Sequence, residues 1–419
     1  LESREFRAAF RLMRRAQAVL PNDPTLKQIY HNSSFETPFI TNPPGAEVWA
    51  TGYAPEDNDW MRLGTTPFTT KELLLGFYRF RIVKPGFRTI LGTGEVRGGT
   101  SLNFDLDPEG AIPPEMVRVP GGTVVVPGLD AVKLSAFLID RYEITNRQFK
   151  RFMDAGGYRK REYWKQDFVQ DGRRLPWEEA IELFRDSTGR PGPSTWELGE
   201  YPPGHDDYPV NGVSWYEAAA YAEFAGKQLP TMYHWQQAAS PGFYADIADL
   251  SNFSGAGPAP VGSYKGLGAF GTLDMAGNVK EWCWNETGPI GHPRRYIRGG
   301  AWNEPGYMFP VLDARLPWDR SAQNGIRCVR YDVRQESGLR APVTTPVRDF
   351  NKEKPARDEV FRLYRSLYAY DPADLEARVE GIDEENSHWK REKISFAAAY
   401  GNERIPGYFY IPKHATPPY

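Results

Sequence analysis

A chain of 419 residues that carries 36 Pro and 40 Gly cannot hold long, uninterrupted helices or strands, because proline breaks backbone ladders and glycine raises the entropic cost of regular structure. This punctuation sets the frame: a loop-rich α+β protein built from short elements. Single domains usually hold about 100–200 residues, so two or three folded units are expected. Only Cys283 and Cys328 are present, which excludes a disulfide scaffold and any CxxC metal or redox site. Lys+Arg 51 against Asp+Glu 54 leave a formal charge of −3. No basic run is interleaved with aromatics, so nucleic acid is not an expected partner. The arginines at Arg4, Arg7, Arg11, Arg14 and Arg15 read as a solvated helix face, partly balanced by Glu2 and Glu5. No stretch reaches the roughly 18 apolar residues of a membrane span. Leu1 is not an initiator methionine, and the start is expected to be a boundary of processing or expression.

Composition divides the chain into four stretches of different texture. Residues 1–32 form a helical stub: Phe6, Ala9, Phe10, Met13 and Ala16 recur at helical spacing, and Pro21-Asn22-Asp23-Pro24 then opens a shorter helix through Leu26 and Ile29. The pattern resembles one tetratricopeptide-like helix pair. Over 33–112 short β-rich runs are separated by Pro and Gly, and Tyr78, Phe80 and Ile82 alternate with Phe77, Arg79, Arg81 and Val83 as in a half-buried strand. A small antiparallel sandwich is the economical solution. From 113 to 335 helix starts are well marked: Thr145-x-x-Gln148 and Ser214-x-x-Glu217 are capping boxes, with Gly156-Gly157 and Gly226 at the stops. Between them, 159–209 is irregular. Residues 336–419 comprise a linker, a helix through Val360, Phe361, Tyr364, Leu367 and Tyr368, an Asp371-Pro372 cap for another helix, and a hairpin formed by KISFAAAY and GYFYIPK.

Several motifs carry family resemblances. Pro44-Gly45-Ala46, Gly64-Thr65-Thr66-Pro67 and Lys84-Pro85-Gly86-Phe87 are similar to a PEGA domain, which implies a surface-binding β-module. The succession YEITNRQFKRFM, PVNGVSWYEAAAYAEFAGKQLPTMYHWQQAA, APVGSY, GTLDMAGNVKEW, RGGAWNEP and NGIRCVR resembles the formylglycine-generating-enzyme (FGE-sulfatase) family. That resemblance implies a C-type-lectin-like fold, flanked here by the small β-sandwich and helical segments. The final region resembles the opening of an esterase-type α/β-hydrolase, but a G-x-S-x-G elbow is absent, so hydrolase chemistry is not assigned to these residues. The whole order resembles the region downstream of the kinase and membrane span in large bacterial serine/threonine-kinase-like proteins, which would make it part of a membrane-anchored protein. The sequence does not fix the side of the membrane.

The family's oxidases use two cysteines shortly after the RGGSW-like motif, since thiolates are soft ligands for Cu(I). Here Ala301 to Arg315 contains no Cys; Glu304 and Phe309 fall near the two positions, and Lys280 replaces the tryptophan of GNxWEW. No catalytic residue and no copper are therefore expected. The two cysteines lie where the fold commonly carries structural ones, as a thiol pair or a disulfide. Asp274 and Glu281 flank a glycine turn that can aim carbonyls inward, an oxygen set of the kind calcium takes. The resemblance places calcium there, with Asp274 and Glu281 as side-chain ligands and Gly277 and Val279 through carbonyls. A second family site survives only as Asn252-Phe253. The six histidines show no ligand spacing, and His234 reads as a structural imidazole beside Trp235. Trp302, Glu304, Tyr307, Arg315 and Trp318 are expected to flank a substrate groove for a peptide, a glycan or a neighbouring protein domain, or else to serve as core. Against this non-catalytic binding or sensing region stand two alternatives: an accessory part of a hydrolase, or a formylglycine-generating-type oxidoreductase.

Overall fold

The computed structural model describes residues 12–414 except 13–14, 17–18, 54–58, 241–243, 289–292, 332–336, 344–349, 370–373, 400 and 402. Most of the expected first helix lies outside these residues. The second is present as α1, Pro24–Ser33, where the Asp23 carboxylate accepts from the Leu26 amide at 2.9 Å. Two compact units follow from the packing, residues 1–346 and 347–419.

The first unit opens with a β-sandwich. Its strands are β1 Thr37–Asn42, β2 Glu47–Gly52, β3 Met61–Thr65, β4 Phe68–Thr70, β5 Gly76–Val83, β6 Ile90–Val96 and β7 Leu102–Asp105. They form sheets ordered β4-β1-β7 and β3-β2-β5-β6. The alternation in β5 sends Tyr78, Phe80 and Ile82 inward onto Phe39 and Val48, as the period-two pattern requires. One pairing departs from the antiparallel expectation: β1 and β7 run parallel, Phe39 opposite Leu102. Crossover through the other sheet makes that possible, and nothing local encodes it.

The rest of the unit is a mosaic of short elements. After β8 Met116–Val119 come the hairpin β9 Gly122–Val124 with β10 Val132–Leu134, and then β11 Phe137–Asp140. Helix α2, Asn146–Asp154, has both halves of its capping box in place at Thr145. The irregular stretch holds the small hairpin β12 Phe168–Gln170 with β13 Arg173–Leu175. Helices α3 Trp215–Phe224, capped reciprocally by Ser214 and Glu217, and α4 Met232–Ala239 follow. Strands β14 Lys280–Thr287, β15 Arg294–Arg298, β16 Asp313–Arg315 and β17 Asn324–Gly325 form one sheet in the order β16-β15-β14-β17, and β18 Val329–Arg330 joins β11 and β8. With so little regular backbone, large rings supply the packing. Phe149, Phe152, Trp164, Trp196, Trp215 and Trp282 share one core, with pairs such as Phe149 and Tyr221 stacked at 5.6 Å.

In the second unit, α5 spans Asp358–Ser366, and β19 Arg378–Asp383, β20 Trp389–Ala397 and β21 Arg404–Pro412 form an antiparallel sheet. The hairpin expected at the end is β20–β21. The Asp371-Pro372 cap lies outside the described residues, and the helix expected after it gives way to β19. Pairing of Val379 with Ile394 across the sheet outweighs the local cap signal. Among the described residues no helix is long and apolar enough to cross a membrane.

Candidate functional site

The turn between Asp274 and β14 depends on three left-handed residues, Asp274, Gly277 and Asn278, with φ of 60°, 76° and 60°. Gly277 is obligatory because a side chain there would strike the Asn252 carbonyl. The turn delivers Asp274 and Glu281 into a buried carboxylate cluster that also contains Glu143. Glu281 gives Oε1 to the Arg327 guanidinium, at 2.8 Å from Nε and 2.7 Å from Nη2, and Oε2 to the Trp235 indole N–H at 2.6 Å. Glu143 accepts from the Val279 amide at 2.9 Å and from the Asn278 side-chain amide at 2.6 Å. Burial, with the charges of Asp274 and Glu281, raises the Glu143 pKa well above the usual carboxylate range. Burial likewise lifts Asp274 to about 6, against a bond at 2.6 Å from the Gly262 amide.

This donor set does not fit calcium as folded. Both oxygens of Glu281 have protein partners, the cation facing the cluster is Arg327, and among the described residues no group of three or more His, Cys, Asp or Glu is arranged to hold a metal. The Gly277 amide donates to the Gly299 carbonyl, and the Val279 amide to Glu143. Sequence reading missed Glu143 and Arg327, although both sit in motifs it singled out, YEITN and NGIRCVR. The signal available was the charge itself, since a buried Glu281 demands a cation.

Beside this turn lies the stretch after Gly300. Lys280, only 1% exposed, places its ammonium 2.6 Å from Glu304 Oε1 and 2.6 Å from Asp313 Oδ2. Glu304 also accepts from the Ala301 amide at 3.1 Å, which ties the loop to the lysine. Arg315 stands 3.4 Å from Asp313, out of line for a hydrogen bond, so its buried Nε has no hydrogen-bond partner; the Trp302 Nε1 is in the same state. Desolvation pushes the Asp313 pKa up, but the bond and charge of Lys280, with Arg315, outweigh it and hold it below the usual range. Tyr307 is 64% exposed. Of the five expected groove residues, the fold thus brings Glu304 and Arg315 to one charge cluster and leaves Tyr307 at the surface nearby in sequence. Trp318 takes the alternative role of core: its Nε1 donates to the Val169 carbonyl at 2.6 Å and its ring stacks on Phe184 at 5.4 Å. Phe309 is wholly buried against Trp235.

The order of these motifs matches the sulfatase-modifying factor enzyme 1-like domain (FGE-sulfatase) over residues 104–332, more than half of the chain. The chain belongs to this family. A PEGA domain is matched over residues 40–109. A formylglycine-generating enzyme of Thermomonospora curvata is 29% identical, covering 54% of this chain and 98% of that protein. A hercynine oxygenase of Mycolicibacterium thermoresistibile is 31% identical over 41% of this chain and 45% of its own length. The serine/threonine-protein kinase pkn1 of Chlamydia pneumoniae is 34% identical over 41% of this chain and 29% of its own. The chain thus spans nearly all of the first relative and less than half of the other two. Within this FGE-sulfatase domain the remaining candidates are buried. Cys283 and Cys328 are free thiols, each buried, and burial raises both pKa values. His234 is buried with Nδ1 2.6 Å from the Thr231 hydroxyl, at the N-cap of α4, and its ring stands edge-on to Phe137.

Proposed function

We propose that this FGE-sulfatase domain is a binding or sensing module without oxidase chemistry. The observation that carries the reading is the Lys280 ammonium, buried between Glu304 and Asp313. The resemblance puts one oxidase cysteine near Glu304, so a fixed protein cation stands where that chemistry would need a soft-ligand copper site. A buried ammonium with two carboxylates is already charge-compensated, and copper would have to displace it. The ligand surface in this reading lies alongside, at the exposed ring of Tyr307 and the half-exposed side chain of Arg315, next to Trp302, residue types that suit a peptide or glycan. The test is binding of the purified chain to peptide and glycan arrays, followed by Tyr307→Ala and Trp302→Phe. A loss of five-fold or more in affinity for a captured ligand supports the reading, and copper-dependent turnover of a sulfatase peptide refutes it.

The similarity to the chlamydial kinase supports placing such a module within a larger kinase-like protein. A hydrolase reading of residues 336–419 rests on the order of α5 followed by the β20–β21 hairpin. Calcium binding at Asp274 requires Glu281 to exchange Arg327 for the ion, which melting in calcium and in chelator tests.

A further inference from the structure

The β-sandwich and the FGE-sulfatase domain meet along two close backbone approaches. A Cβ on Gly92 would lie 2.5 Å from the Ala269 carbonyl oxygen, and one on Gly271 would lie 2.5 Å from that of Leu91. Around these points the Thr93 amide donates to Ala269 O at 3.1 Å, and the Tyr53 hydroxyl to Leu267 O at 2.7 Å. Arg118 binds Asp107 at 2.8 Å, and Arg88 donates to the carbonyls of Pro113 at 3.0 Å and Pro114 at 2.8 Å. The struts hold the two domains apart elsewhere and leave a cavity of about 650 Å³ between them. That volume lies within the range of small-molecule sites, about 300–1,000 Å³.

The cavity's chemistry is lopsided. Ile90, Leu102, Phe104, Val117 and Phe270 give it apolar walls, and three guanidiniums, Arg88, Arg118 and Arg141, face two carboxylates, Asp105 and Asp107. Arg118 is paired with Asp107, and Asp105 accepts only a long bond, 3.4 Å, from Asn42. Arg88 gives its hydrogen bonds to neutral carbonyls, with the charges of Asp107 and Glu115 farther off. Arg141 lies over the Tyr142 ring at 5.4 Å, and its buried Nε has no hydrogen-bond partner. Burial, and after it the charge of Arg141, lowers the Arg88 pKa, and the charges of Asp107 and Glu115 offset this only in part.

We propose that this interdomain cavity binds a small amphiphile, an apolar body carrying one anionic group, with Arg141 as the principal anchor. A guanidinium forms its strongest bonds with carboxylate or phosphate oxygens, often in pairs. The apolar walls would be covered by the ligand's chain, whose burial adds to the affinity. The excess of one positive charge suits a monoanion and not a polyanion. Because both domains contribute walls, occupancy would couple the sandwich to the FGE-sulfatase domain.

The test is calorimetric titration of the full chain with decanoate, decyl phosphate and the neutral decanol, below their micellar concentrations. Decanoate or decyl phosphate should bind at least ten-fold more tightly than decanol, and the stronger of the two identifies the headgroup. Arg141→Gln should reduce the anion's affinity to that of decanol and leave decanol unchanged, whereas Arg141→Lys should retain part of the difference. Ala136→Trp, which fills the cavity from the wall, should remove binding of all three. Equal affinity for decanol and both anions in the unmodified chain would overturn the proposal, even if a variant does not fold. So would undiminished anion binding by a folded Arg141→Gln.

Discussion

Lys280 and Arg327 are both buried cations, yet they should respond differently to removal. Arg327 and its partner Glu281 are fully inaccessible, and taking one partner from a buried pair strands the other charge, at about 3–5 kcal/mol. Arg327→Met should therefore lower unfolding free energy by that amount in denaturant titrations, while Lys280→Met should cost roughly 2 kcal/mol because Glu304 and Asp313 retain some contact with water. Near-neutral Arg327→Met would contradict the charge assignment. Asp313 adds a pH signature. Its folded pKa lies below the unfolded value, so its stabilisation is present above about pH 4 and is lost as pH falls through the folded pKa. The stability difference between wild type and Asp313→Asn should be full at pH 7 and shrink toward pH 3; a difference that grows on acidification would reverse the sign. At this scale the sequence was legible where the information is local. Gly277 announces its turn, but Arg327 meets Glu281 across 46 residues, and no spacing rule reaches that far.

The two capped helices separate local from tertiary energetics. Thr145 and Ser214 make the same reciprocal cap, and a cap of this kind is worth about 1 kcal/mol. Glu217, however, also accepts from the Tyr158 hydroxyl at 2.6 Å and from Arg320 at 2.9 Å, with no exposure. Thermal and denaturant melts should show Thr145→Ala costing about 1 kcal/mol and Glu217→Ala roughly 3–5 kcal/mol. Equal costs would mean that the Arg320 network adds nothing. Both caps were readable from four-residue patterns, and so was the β5 alternation, because each is enforced by neighbours in sequence. The β1–β7 parallel pair and β19 were not readable: the first is fixed by chain crossover, and the second by pairing with β20, where a bulge between Val379 and Gly381 blurs the period.

Across the whole chain, the β-sandwich and the FGE-sulfatase domain are held at the glycine contacts described above. Gly92→Ala should push Leu91–Thr93 away from Ala269 and cost about 1–3 kcal/mol as an overpacked contact, with loss of the Thr93 amide's exchange protection. An unchanged protection pattern would show that the junction is loose. The family was legible because its motifs are long and ordered, whereas the role of Trp318 was not: it shares the composition of a ligand-binding aromatic but is packed on Phe184. The proposal turns on the buried Lys280 ammonium paired with Glu304, near the position where the family resemblance places an oxidase cysteine. Titration of the anaerobic chain with Cu(I) against a chromogenic chelator, followed by oxygen uptake with a sulfatase peptide, tests this most directly. The account predicts that the chelator keeps the copper and that oxygen is not consumed. Stoichiometric Cu(I) capture by the chain, lost in neither Cys283→Ser nor Cys328→Ser and coupled to oxygen uptake, would contradict it.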